Sequence, residues 1–467
     1  MLIAAARQAA PFREISDGAI IEMYTLEALR GKLLVGPYSR FGWHHPGPMF
    51  FYLLAPSYWA TGLHTAGAQA GVLLVNIAAV IILGTALLRA ASAPLVLVMC
   101  AAIGAYIVRV GDMVVSVWNP HAIVLPLAAF VVVAAAAAAT ADGAFLLWLA
   151  VLGSLLVQTH LAMAPIVAAI SVPVFVASLK VVRRIWLRLA IVIIVLWMPV
   201  AVEQATHWPG NLTRIVDFFV EDAGAPAVQS VPTAVRAWAT AITSAFSRQF
   251  VVAMGFDYTP TAGVIATVAA TALCGWLGLA AVAERRRHPF TSWLAGLCAI
   301  ATVVALAATT RIRGQIVDHE IFWMSVLGAL DAAVVIARLL QPESGAALKR
   351  PAIGALIAVV AAVGAIGMAH VVHRARGVDD HNVDVIADAL SDSIRTSRPK
   401  RLLVTIDPPV WPIAAGALLQ LDKAGVAFAV DDRWTTMFGE RFTRTGAEDL
   451  AIQISGSPLQ PTVVRTR

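Results

Sequence analysis

Apolar residues dominate ten stretches of the chain, at 67–88, 94–108, 122–140, 144–157, 161–179, 185–202, 261–283, 293–310, 321–340 and 352–370. Most approach the ~20 residues that a helix needs to cross a hydrocarbon core ~30 Å thick. The pattern therefore predicts a polytopic α-helical membrane protein. The fourth and fifth stretches are short, and read equally as one run broken by the polar triplet Gln158-Thr159-His160. A shorter stretch at 49–59 holds Pro56 and several aromatics, and is expected near the interface where Tyr and Trp prefer to sit. No segment repeats at a fixed period, so no solenoid is indicated.

After Arg374 the pattern changes. Residues 379–396 predict an amphipathic helix, 400–407 a buried strand and 412–423 a helix stopped by Gly425. Further strands are expected at 426–430 and 450–454. Strand–helix–strand order suggests a small α/β layer. The first strand runs into Pro408-Pro409 rather than a glycine-rich turn, which argues against nucleotide binding. Two domains follow: a membrane domain at 1–372 and a small soluble α/β domain at 373–467.

Composition sharpens this picture. Hydrophobic residues make up 59% and charged residues 13%, against about 25% charged in a soluble domain. The net charge of +6 sits largely in short loops, where topology explains it and nucleic acid need not be invoked. Cys100, Cys274 and Cys298 lie inside apolar runs and predict packing residues, not a disulfide framework. Residues 1–16 carry Arg7 and Arg13 without an apolar core, and predict neither a signal peptide nor a membrane span. The richer basic loops hold Arg89, then Lys180, Arg183, Arg184 and Arg188, then Arg285–Arg287, then Arg338, Lys349 and Arg350. They fall on alternate turns, so the positive-inside tendency places them in the cytoplasm. The loops at 16–48 and 203–260, the Asn119 and Arg311 loops, and the C-terminal domain are then expected on the outer face of the plasma (inner) membrane.

The densest polar chemistry is in loop 16–48, with Asp17, Glu22, Glu27, Arg40, His44 and His45, followed by Pro46 and Pro48. Its first part is compatible with a short helix lying on the membrane surface, and Gly31, Gly36, Gly42 and Gly47 break the rest into turns. Ordering such a loop costs entropy, which favours a catalytic purpose over an interfacial belt. Asp17, then His45-Pro46 within HHPGPMFFYLLAP and an aromatic apolar helix, resembles the GT-C class of membrane glycosyltransferases. More narrowly, it is similar to the group of protein O-mannosyltransferases and lipid A aminoarabinose transferases. That resemblance implies a GT-C-like helix bundle and an inverting transfer from a polyprenyl-phosphate sugar to a cell-envelope glycan, lipid or protein. It implies a catalytic carboxylate at Asp17 and a motif residue at His45. The family often shows Asp-Glu where this chain has Asp17-Gly18, so Glu22 is the candidate second carboxylate. The family also has a membrane helix before this loop, and sixteen residues precede Asp17 here. The resemblance thus expects either further chain upstream or a member lacking that helix.

The remaining candidates are substrate-binding. Arg40 and His44 share the loop with Asp17. Arg311 and Arg313, with His319 close by, end one span on the outer side, where a guanidinium can take two phosphate oxygens. Asn119 and His121 open another span, and Gln158 and His160 interrupt an apolar run at membrane depth, where polar groups usually face a cavity or a partner. Adjacent histidines make no recognised zinc spacing, so the metal question stays open, with magnesium or manganese on carboxylates the preferred option. Two other classes compete with the enzyme: a transporter or flippase for a lipid-linked precursor, and a non-catalytic GT-C-like subunit.

Overall fold

The computed structural model describes residues 2–9, 11–222, 228–247, 263–340, 349–374 and 377–465. Parts of the expected outer loop at 203–260 and the ends of the C-terminal domain therefore lie outside the described residues. Eight helices are long and apolar enough to cross a membrane: Thr65–Ala90, Ala93–Val115, Asn119–Thr140, Leu179–Thr206, Val264–Ala283, Pro289–Thr309, Asp318–Leu339 and Lys349–His373. Two shorter apolar helices, Gly143–Thr159 and Leu161–Ala177, complete the set. Each apolar run of the sequence thus has its helix. This is the architecture of a multi-pass helical membrane protein with a small C-terminal sheet.

The chain forms two compact units, each built from more than one stretch of sequence. One comprises Met1–Val72, Val202–Ile215 and Met368–Arg467; the other comprises Leu73–Ala201 and Val216–Gly367.

The second unit is the helical bundle. Helix Asn119–Thr140 lies at its centre, with 89% of its apolar window buried, because its alanine-rich stretch lets neighbours approach closely. Gly153 serves the same packing, since a Cβ there would meet Phe130 at 3.2 Å. Helix Leu179–Thr206 is the opposite case, with 11% of its window buried. Its outward Trp186, Ile191, Ile194 and Met198 form an apolar surface that lipid, not water, would suit. The broken run is explained by its polar groups. Gln158 Nε2 donates to Leu196 O at 2.9 Å, and Asn119 Nδ2 donates to Thr159 O at 3.3 Å. Ion pairs gather the basic ends: Arg89 meets Asp142 at 3.2 Å, and Arg338 meets Glu284 at 2.5 Å. The segments around Trp118, His160 and His319 meet at the opposite ends of the same helices.

The first unit carries the sheet. Strands β1 (Leu402–Ile406), β2 (Phe428–Val430), β3 (Leu450–Ser457) and β4 (Gln460–Arg465) lie in the order β2-β1-β3-β4. β1 pairs in parallel with both β2 and β3, in the registers Leu402↔Phe428 and Leu402↔Leu450. β4 returns antiparallel to β3. Helices Val378–Ser397 and Trp411–Lys423 pack together beside it. Gly425 ends the second at φ +75°, the conformation a glycine stop supplies.

Segment 16–29 forms a helix, Ser16–Leu29, and it does not lie on a surface. Every residue from Ala19 to Leu26 is buried, against helices Trp411–Lys423 and Met49–Ala60. The expected surface helix is therefore an internal strut of this unit. Gly416 makes that approach possible, since a Cβ there would stand 2.5 Å from Glu14 O.

Candidate functional site

Asp17 occupies the first turn of helix Ser16–Leu29, where a carboxylate suits the helix dipole. It is only partly buried, and Tyr38 Oη donates a hydrogen bond to its Oδ1. Tyr38 comes from the turn that follows. There, His45 N donates to Pro37 O at 2.8 Å, Gly36 N to His45 O at 2.9 Å, and Ser39 N to Trp43 O at 2.8 Å. Tyr38 and His44 form the bridge pair of this hairpin-like turn, and Gly42 reverses it at φ +84°. Burial, then the Asp17 charge, pushes the Tyr38 phenol up, so it keeps the proton it donates. Arg40 lies over the Phe41 ring at 5.0 Å, and His45 meets Trp43 edge-on at 5.5 Å.

His44 is held from three sides. Its backbone N–H donates to Asn211 Oδ1 at 2.8 Å, and Asn211 Nδ2 donates to His44 O at 2.9 Å. Asn211 is fixed in turn by its own N–H, which reaches the Glu203 carboxylate at 2.8 and 3.0 Å. His44 Nε2 stands 3.0 Å from Tyr24 Oη, which also donates to Met437 O at 3.0 Å. A phenol has one proton. With that proton on the carbonyl, Tyr24 accepts from His44 Nε2–H. Gly439 permits this packing, with φ +105° and a virtual Cβ 3.2 Å from the Tyr24 ring.

Burial pushes the His44 imidazole down to about 4, Arg214 adds to the effect, and the Thr436 carbonyl opposes it. The ring is thus neutral at pH 7. In the unfolded chain it protonates near 6.5. Between pH 6.5 and about 4 the unfolded state holds the extra proton, so this group lowers stability as pH falls, by up to about 1.4 kcal/mol per pH unit. The melting-temperature advantage of wild type over His44→Gln should shrink across that window. A constant difference between pH 7 and pH 4 would contradict the assignment.

Glu22 has a different environment from Asp17. It is 1% exposed, and its Oε1 takes Lys423 Nζ at 2.5 Å, Tyr58 Oη at 2.9 Å and Thr65 Oγ1 at 3.2 Å. These contacts make it an anchor for helix Trp411–Lys423.

In the helical bundle, four sequence candidates from three separate segments converge. Asn119 Nδ2 lies 3.3 Å from His160 Nδ1, and His121 Nδ1 lies 2.7 Å from Ser116 Oγ. The Trp118 ring joins the group, 5.2 Å from His121 and 5.0 Å from His319 between ring centroids. Gln158 Nε2 is turned to Leu196 O. Arg313 stacks over Phe218 at 4.7 Å. Gln229 pins the arginine loop by donating to Ile312 O at 2.9 Å. Asp17, His45, Arg40 and His44 belong to the first unit, and Arg311, Arg313 and the histidine cluster to the second. Among the described residues, no group of three or more His, Cys, Asp and Glu is placed to hold a metal ion.

Tyr24, Tyr38, Glu203 and Asn211 were not singled out by the sequence, whereas Trp118 stood in the segment Trp118-Asn119-Pro120-His121 that opens a span. Tyr38 was within reach, as a phenol in the turn bearing His44. Asn211 carried no signal, being 167 positions from its partner. Comparison with protein-family models, curated proteins and solved structures finds no match to this chain.

Proposed function

We propose that this protein is a GT-C-like membrane glycosyltransferase that moves a sugar from a polyprenyl-phosphate carrier to an acceptor hydroxyl on the outer face of the membrane. The observation that carries this reading is Asp17. It is a partly exposed carboxylate on the first turn of a buried helix, oriented by the Tyr38 hydroxyl from the turn that bears His44 and His45. A positioned carboxylate of this kind suits general-base chemistry. Asp17 takes the acceptor hydroxyl proton as that oxygen bonds to the anomeric carbon. The bond from that carbon to the phosphate oxygen breaks, and the lipid phosphate leaves with the electron pair. Attack opposite the leaving group inverts the anomeric centre. Glu22, buried and ion-paired with Lys423, anchors the helix that carries Asp17.

Reconstituted proteoliposomes test this reading against transport. With a carrier labelled in its sugar, a transferase moves label to a water-soluble acceptor and leaves lipid phosphate. Transfer should occur only on the face where a single cysteine at position 447 is labelled, opposite a cysteine at position 286. Label that crosses the bilayer still attached to its lipid, with no acceptor product, would identify a transporter.

A further inference from the structure

Apart from Asp17, the first unit has a partly open cavity of about 210 Å³, and its polar lining is unevenly matched. Two of its carboxylates already have partners. Glu27 is taken by Arg441 at 3.1 Å and Arg30 at 3.4 Å, and Glu203 by the Asn211 N–H. Arg441 is itself shared between Glu27 and Asp422. Three basic side chains remain on the wall: Lys32, His207 and Arg214. Within ion-pair range of His207 and Arg214 stands Glu440, 3.6 Å from His207 Nε2 and 3.7 Å from Arg214. Both separations exceed hydrogen-bond length, and Glu440 is about half exposed. Pairs this long and this wet are weak. Among the described residues, Lys32 has no carboxylate partner at all.

We infer that this cavity binds a phosphoryl oxyanion through Arg214, His207 and Lys32, and that Glu440 acts as a built-in competitor for the same donors. A doubly charged tetrahedral anion presents more acceptor oxygens than a carboxylate and forms shorter, charge-assisted hydrogen bonds with a guanidinium. Its seat is the junction of three chain segments, since Glu203–Arg214, Lys32 and the Phe438–Arg441 turn of the C-terminal domain all line it. The C-terminal domain therefore supplies one wall of a ligand site, and its Glu440 sets the threshold for occupancy. This inference does not rest on the transfer chemistry of Asp17.

Isothermal titration of the full chain in phosphatidylcholine nanodiscs at low ionic strength tests it. The two probes are inorganic pyrophosphate and dihexanoyl phosphatidic acid, and preference for one or the other distinguishes a soluble phosphate from a lipid headgroup. Arg214→Ala should weaken binding about tenfold to a hundredfold, the size expected for a charge-assisted hydrogen bond. Glu440→Gln should tighten it about threefold to tenfold, a gain that a folding defect does not produce. No binding of either probe would overturn the proposal, as would affinity unchanged in Arg214→Ala or not increased in Glu440→Gln. Binding is read without turnover. A chain that binds pyrophosphate yet transfers no sugar would leave this site standing and refute the transferase reading alone.

Discussion

Asp17→Asn should lower sugar transfer about a hundredfold to ten-thousandfold while the protein still inserts and folds. The amide is nearly isosteric and can still meet the Tyr38 hydroxyl with its oxygen, so the geometry of the first helical turn is kept. It cannot take a proton at neutral pH, and loss of a general base typically costs ~10²–10⁴ in rate. The defect should appear in kcat more than in KM, because the proton moves only as the bond forms. Tyr38→Phe should cost less, since it frees the carboxylate without removing it. Glu22→Gln should also cost less, because Glu22 is buried in an ion pair with Lys423. Initial rates with a labelled polyprenyl-phosphate sugar decide this. Full activity in a well-expressed Asp17→Asn protein excludes the role, and a larger loss in Glu22→Gln would move the base there.

The second large effect is on stability. Lys423→Met should destabilise the first unit by about 3 kcal/mol, because it leaves the Glu22 carboxylate buried without its cation. Glu22 is 1% exposed and Lys423 16%, so solvent screens this pair little. Tyr58 and Thr65 would still donate to Glu22, but neither carries charge. The double change Lys423→Met with Glu22→Gln should recover much of the loss, since it removes both charges together. Melting temperatures of the four proteins form the cycle. A single Lys423→Met protein as stable as wild type would show that the pair is not buried as described.

The helical bundle was legible because lipid imposes a simple demand. A span must be apolar for most of ~20 residues, and all ten runs became helices at nearly their expected bounds. Most C-terminal elements were legible for a similar reason, with Leu402, Val404 and Ile406 alternating inward along β1. β4 was missed because none of its residues is buried, so its alternation of exposed and half-buried positions marks no core-facing stripe. The helix Ser16–Leu29 was placed wrongly because Asp17, Glu22 and Glu27 suggest a solvated face. The charge of Glu22 is met instead by Lys423, which stands in another domain of the sequence. Partners that far apart leave no periodic trace. The convergence of Asn119, His121, His160 and His319 was half legible, since each stood at the end of an apolar run, while their meeting around Trp118 depended on the fold.

The most direct measurement of the central claim follows the atoms. The purified protein in nanodiscs is given a polyprenyl-phosphate sugar labelled at the anomeric carbon, and both products are analysed. The account predicts equimolar lipid phosphate and glycoside, with the anomeric configuration inverted and product formation collapsing in Asp17→Asn. Retained configuration, or lipid phosphate released without any glycoside, would contradict it.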